Sequence, residues 1–202
     1  MFKIKPNLEA IIWDFDGVIL DSNLVRDQGF YEVLKAYKSE DVEELLKFHQ
    51  ANGGLSRYVK FKHFYGEILK VDYSDSDIQS LARSFSEIMK KLLTNKALLI
   101  KETLAFISAN FEDTPMHIVS GSDGEELRFL CDELCITQFF KSIDGSPIPK
   151  TENVRVLIQS FKYESKNMVL VGDSINDFDA TVDNNLQFFA YNNDEILHLT
   201  NY

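Results

Sequence analysis

Two aspartates two positions apart, Asp14 and Asp16, follow an apolar run and stand directly before Gly17. Three more polar clusters follow apolar stretches: Ser120-Gly121-Ser122, then Ser146-Pro147-Ile148-Pro149-Lys150, then Gly172-Asp173-Ser174-Ile175-Asn176-Asp177. If these clusters meet, they form a site of four carboxylates, a serine hydroxyl and a lysine. Four carboxylates in one cleft raise each other's pKa values unless a cation joins them. A hard divalent ion answers that repulsion, and Mg2+ suits a site of few carboxylates plus substrate oxygens. Lys150 and Ser120, with backbone amides near Gly17 and Gly121, offer what a phosphate dianion needs. Asp14 beside a metal-bound phosphoryl group is placed to attack it and form an aspartyl phosphate. Asp16 faces the same side of an extended chain. It is placed to protonate the leaving oxygen and then to take a proton from water.

For the clusters to converge, the apolar runs before them must lie side by side. Residues 8–15 read as a strand buried on both faces. Residues 22–95 then read as wholly helical. Phe30, Val33, Leu34 and Tyr37 mark one helix face, and Ile78, Leu81, Phe85, Ile88 and Leu92 another. Gly53-Gly54 interrupts the pattern, and Ser56 is expected to cap a helix running to Leu69. A block of four helices without strands is expected to be an inserted subdomain over 19–95. Residues 1–18 and 96–202 would then form the core. From residue 98 the pattern alternates, with strands expected at 116–119, 142–144, 168–171 and 187–191. Helices are expected at 100–110, after a Ser122/Glu125 capping box, after a Thr151 cap, and at 175–182. Such alternation predicts a doubly wound α/β fold, a parallel sheet with helices on both faces. Ligands of such sheets gather at the carboxyl ends of the strands, where all four clusters fall.

The bulk properties narrow the setting. A chain of 202 residues, 45% of them hydrophobic, can fill one sizeable domain or a core with a smaller insertion. No apolar run approaches the roughly 18 residues that a bilayer span needs. Residues 1–6 lack the layout of a secretory signal, so a cytoplasmic location is expected, with no membrane partner. The net charge of −11 disfavours nucleic acid as a partner. Cys131 and Cys135 are expected to be small buried residues on one helix face of a reduced protein. The four histidines are too scattered to complete a zinc site with them.

Each cluster has an ordinary structural explanation. Asp-x-Asp-Gly makes turns, Ser174 and Asp177 make a capping pair, and Asp21 and Ser22 can cap the first inserted helix. Their order decides between the readings, because four such clusters each closing an apolar strand amount to roughly a one-in-ten-thousand coincidence of composition.

Asp14-x-Asp16-Gly-Val-Ile, Ser120, Lys150 and Gly172-Asp173-Ser174-x-x-Asp177 together resemble the four motifs of the haloacid dehalogenase superfamily, over essentially the whole chain. The insertion after the first motif is similar to the C1-type cap of the subgroup holding phosphoglycolate phosphatase and β-phosphoglucomutase. The resemblance implies Asp14 as nucleophile, Asp16 as acid and base, and Ser120 and Lys150 as phosphoryl ligands. It also implies Asp14, the Asp16 carbonyl, Asp173 and Asp177, the last directly or through water, around Mg2+. Many relatives carry the lysine ahead of the first proline of a K-P-x-P pattern. Here Lys150 follows Pro149, and Lys141 stays open as the alternative. True dehalogenases lack the second aspartate, so Asp16 favours phosphoryl over carbon–halogen chemistry.

The expected activity is Mg2+-dependent hydrolysis of a small phosphomonoester, a sugar phosphate or a phosphoglycolate-like metabolite. The alternatives are a phosphomutase using the same intermediate, a phosphonate hydrolase, and a non-catalytic module of the same fold. Within the insertion, Gly53-Gly54-Leu55-Ser56-Arg57 reads as a specificity loop, with Arg57 reaching substrate and Lys60, Lys62 or His63 adding charge. The opposing explanation is a solvated basic helix face.

Overall fold

Ala10-Ile11-Ile12-Trp13 offers no polar side chain to water on either side, and in the computed structural model it forms the central strand, β1 (Ala10–Trp13). The structure describes residues 8–202, so the reading made of residues 1–6 lies outside the described residues. The other strands are β2 (Met116–Asp123), β3 (Ser142–Ser146), β4 (Met168–Gly172) and β5 (Gln187–Ala190). All pair in parallel, in the order β3-β2-β1-β4-β5. Alternate residues of β1 serve opposite faces. Ile11 and Trp13 pack into a core with Ile107 of α5 (Lys101–Asn110) and Leu127 and Leu130 of α6 (Gly124–Glu133). Ala10 and Ile12 pack with Val154 and Leu157 of α7 (Lys150–Phe161) and Ala180 of α8 (Ile175–Asn184). This is the expected doubly wound arrangement, and it brings the carboxyl ends of β1, β2 and β4 together.

Between β1 and α5 the chain makes only helix: α1 (Asn23–Leu34), α2 (Ser39–Ala51), α3 (Arg57–His63) with a π-helical turn over Phe64–Leu69, and α4 (Asp75–Leu92). Ser56 caps α3 by accepting from the Val59 amide, as expected. Ser74 and Asp77 form a reciprocal capping box at the start of α4. An aromatic cluster centres this insertion, with Phe30 4.5 Å from Phe85 and 5.4 Å from Phe61 between ring centroids. Each such pair adds about 1 kcal/mol beyond the burial of its area. The two chain segments joining insertion to sheet lie side by side. Leu20 bridges Leu99, the Asp21 amide donates to the Leu98 carbonyl at 2.8 Å, and the Ile100 amide donates to the Ile19 carbonyl at 2.9 Å.

Three local expectations change. β2 runs on to Asp123, and Asp123, not Ser122, caps α6 by accepting from the Glu125 and Glu126 amides; the Ser122 hydroxyl is used elsewhere. α7 begins at Lys150 behind Pro149 without a side-chain cap, so Thr151 lies inside the helix. Cys131 is buried as expected, but Cys135 lies past the end of α6 with positive φ and is exposed. No helix among the described residues is long and apolar enough to cross a membrane.

His117 sits fully buried in β2, with Nδ1 3.0 Å from Ser142 Oγ and Nε2 3.2 Å from Tyr163 Oη. Burial, helped by the nearby Lys141 charge, lowers its pKa to about 4. The unfolded chain therefore binds this proton first as pH falls. The stability due to neutral His117 is complete above about pH 6.5 and is lost on the way down to about pH 4, a change of at most roughly 3 kcal/mol. Urea unfolding at a series of pH values is expected to show this slope, and His117→Gln is expected to flatten it.

Candidate active site

β1 delivers Asp14 to the floor of a cavity of about 460 Å³ at the carboxyl ends of the strands. The Asp14 amide still pairs with the Val171 carbonyl at 2.9 Å, so β4 fixes its position. β4 ends one residue before Asp173, and α8 carries Asp177. Carboxylate oxygens of Asp14, Asp173 and Asp177 all lie within 4.8 Å of one another. Gly17, with φ +75°, makes room for this, because a Cβ there would strike the Asp173 carboxylate.

Lys150, the first residue of α7, reaches into the cluster. Its Nζ donates to Asp14 Oδ1 at 2.8 Å and to Asp177 Oδ1. The other Asp177 oxygen accepts from the Ser174 amide at 3.0 Å and the Ser174 hydroxyl at 2.6 Å, while the Ser174 hydroxyl accepts from the Asp177 amide. Asp177 thus caps a helix and faces the site at once. Lys141 is exposed and near His117, so Lys150 is the lysine the fold brings to Asp14.

One lysine does not balance this much acid. Burial raises the pKa of Asp14, Lys150 opposes the rise, and Asp177 and Asp16 add to it. Burial likewise raises Asp173, with further pushes from Asp14 and Asp177. Among the described residues, no side chain donates a hydrogen bond to the Asp173 carboxylate, Asn193 reaching only its backbone carbonyl, and one carboxylate oxygen of Asp14 is unengaged. Two hard oxygen donors with surplus negative charge, beside a third carboxylate, fit a divalent cation such as Mg2+.

Asp16 is placed differently. Its side chain turns from the three carboxylates toward the insertion. Oδ1 accepts from the Ser22 hydroxyl and from Arg26 Nε at 2.7 Å, and Oδ2 accepts from the Ser122 hydroxyl at 2.6 Å. Burial alone would raise its pKa. The Arg26 charge and the three hydrogen bonds outweigh burial and hold it below the usual carboxylate range. Ser120, also buried, accepts from the Ser122 amide at 3.2 Å and lines the cavity with Asp14.

The insertion roofs the cavity. The Gly54 carbonyl accepts from Asn176 Nδ2 at 2.8 Å and lies so close to Gly121 that a Cβ on Gly121 would collide with it. Arg57 lines the cavity but spends one guanidinium nitrogen on Ser86 and Glu126, each at 2.6 Å, with its Cζ 4.7 Å from the centre of the Phe85 ring. Lys60 Nζ lies 2.7 Å from His49 Nδ1, and burial beside Arg26 lowers its pKa to about 7. Burial and the same cations lower His49 to about 3. A neutral His49 then accepts from Lys60 and directs Nε2 at Asp27 Oδ1, 3.3 Å away. Lys62 is exposed near Asp75, and His63 stacks on Phe48.

The fold therefore gathers Asp14, Asp16, Ser120, Gly121, Asp173 and Arg57 around one cavity, with Lys150 bonded to Asp14 and to Asp177 beside it. Sequence reasoning missed Ser22, Arg26, Ser122 and Glu126. Arg26 carried a usable signal, since it lies one turn before Phe30 and two before Leu34 on the buried face of α1, where a charge needs a partner. Glu126 carried a similar one beside Leu127 and Leu130 on α6.

The family model for haloacid dehalogenase-like hydrolases matches residues 11–191. No curated protein sequence matches the chain. CbbY from Rhodobacter sphaeroides in complex with phosphate is similar in structure, with TM-score 0.70 at 18% identity over 90% of this chain and 84% of that one. Its complex with xylulose-(1,5)bisphosphate gives 0.72 at 18%, over 93% and 89%. A haloacid dehalogenase-like family hydrolase from Streptococcus pneumoniae gives 0.69 at 15%, over 96% and 91%. At these identities the structural likeness is one of fold.

The close approach of residue 121 to the roof can be tested directly. Gly121→Ala is expected to leave the sheet intact and push back the loop at 53–55. Amide hydrogen exchange there should speed up while exchange in β1 and β4 stays unchanged.

Proposed function

The chain belongs to the haloacid dehalogenase-like hydrolases, and from that premise we propose that it hydrolyses a compact phosphate monoester by way of a phosphorylated Asp14. The observation that carries this reading is the buried Asp14 carboxylate facing a roofed cavity, with one oxygen held by Lys150 and the other unengaged among the described residues. The resemblance in fold to a protein solved with phosphate and with a sugar bisphosphate lends support.

In the first half-reaction Asp14 forms a bond to phosphorus, the bond from phosphorus to the leaving oxygen breaks, and Asp16 gives that oxygen its proton. In the second, water attacks phosphorus, Asp16 takes the water proton, and the bond from phosphorus to Asp14 breaks to release phosphate. Lys150 and Ser120 hold the phosphoryl oxygens, and the lysine offsets the charge that grows on them. Mg2+, held by Asp14, Asp173 and the Asp16 carbonyl with Asp177 behind them, would supply further charge neutralisation at the phosphoryl group. Asp16 as it stands is an ionised carboxylate, the form that accepts the proton of water. To give a proton it must first take one up, on Oδ2, where Ser122 leaves a lone pair while Arg26 and Ser22 hold Oδ1 in place.

The insertion acts as a cap that excludes water while the ester reacts. Asn23, Asp27, Gln50 and Asn52 line the leaving-group side of the cavity and suit the hydroxyls of a small polyol. With Arg57 bound to Glu126, recognition there rests on shape and hydrogen bonding as much as on a free cation.

Phosphate release from a panel of sugar phosphates, phosphoglycolate, nucleotides and p-nitrophenyl phosphate tests this reading. Release is expected with Mg2+ and not with EDTA, and Asp14→Asn should reduce it by at least about 10³-fold. A protein that is folded and Mg2+-loaded yet releases nothing across the panel would remove the hydrolase reading. Independently of activity, Mg2+ is expected to raise the unfolding temperature, and Asp173→Asn to lose most of that rise.

A further inference from the structure

Glu126 is a fully buried carboxylate with no part in the chemistry described so far. It sits in the first turn of α6, in the sheet domain, yet both its oxygens are claimed by the insertion. Oε1 accepts from Arg26 Nη1 at 2.9 Å and Oε2 accepts from Arg57 Nη1 at 2.6 Å. A carboxylate taken out of water is costly unless paired and hydrogen-bonded, and leaving one partner of such a group bare is worse. Glu126 is therefore satisfied by Arg26 and Arg57 only with the insertion seated.

Arg26 does a second thing. While Nη1 holds Glu126, Nε of the same guanidinium holds Asp16 Oδ1 at 2.7 Å. A planar guanidinium has its donors in a fixed fork, so where Glu126 holds Nη1 it also sets where Nε points. Ser122, on the same connection that leads into α6, holds the other Asp16 oxygen. Asp16 is thus gripped from the sheet by Ser122 and from the insertion by Ser22 and Arg26, and Arg26 is itself oriented from the sheet by Glu126.

We propose that Glu126 is a positioning residue that makes seating of the insertion and orientation of Asp16 a single event. It touches neither phosphoryl group nor leaving oxygen; it acts through Arg26. Arg57 completes the pair, so the residue read from the sequence as a substrate contact serves here as the second strap on Glu126. Other contacts hold the insertion down without Glu126, among them Tyr58 to Asp123 at 2.7 Å and Asn176 to Gly54 at 2.8 Å. Loss of Glu126 is therefore expected to misplace Asp16 rather than to detach the insertion.

The proposal rests on the phosphatase reading, and its test separates the two. A p-nitrophenolate leaving group departs without a proton, whereas an alkoxide needs one, so a misplaced acid harms alkyl esters selectively. kcat/KM, which reports the steps through transfer to Asp14, is measured for p-nitrophenyl phosphate and for the best alkyl phosphate of the panel above. Glu126→Gln is expected to lower the alkyl value by about 30-fold or more and the aryl value by less than about threefold. Glu126→Asp, which keeps the charge one methylene short, is expected to show the same selective loss at smaller size. It also carries the test if the glutamine variant does not fold. Equal loss on both esters, or none on either, would overturn the positioning role while leaving the phosphatase reading in place. A wild-type protein that turns over neither ester would overturn both.

Discussion

Like charge packed at the ends of two adjacent strands is the constraint on which the rest depends. β1 and β4 are paired residue by residue, so Asp14 and Asp173 must end close together, and α8 adds Asp177. Lys150 counters part of this charge, and its own pKa is raised by Asp14 and Asp177 against the pull of burial. The remaining surplus is the kind of charge that a divalent cation would offset.

The insertion answers a second need. Four helices and the loop at 53–55 cover the cavity into which Asp14 faces. The roof is fastened by polar bonds at its rim, by an Arg–Glu–Arg arrangement, and by apolar side chains that share one core with the α5 and α6 face of the sheet.

Most of the sheet was legible in the sequence because an all-parallel sheet writes itself as apolar runs, and each run here ends at a polar cluster. Asp14, Asp173 and Lys150 followed from those endings. The helical block was legible too, since Phe30 and Phe85 each belong to a face of helical period and meet at its centre. Two things were not. Capping is decided by competition for a hydroxyl, and Ser122 serves Asp16 while Asp123 caps α6, a choice invisible until Asp16 has a position. Arg26 and Glu126 are a hundred residues apart in sequence; each stands on a buried helix face that calls for a partner, but nothing local says which partner.

The bridge between Leu20 and Leu99 carries a consequence for how such a molecule can vary. The outgoing and returning segments meet within hydrogen-bonding distance, so the excursion between them starts and finishes at one doorway in the sheet domain. The cost of closing a loop grows only slowly with its length, and the doorway stays the same whatever is strung across it. The helical block can therefore be lengthened, trimmed or exchanged without altering the register of a single strand. The strand-end carboxylates and the cover above them thus belong to separate stretches of chain that meet at these few hydrogen bonds.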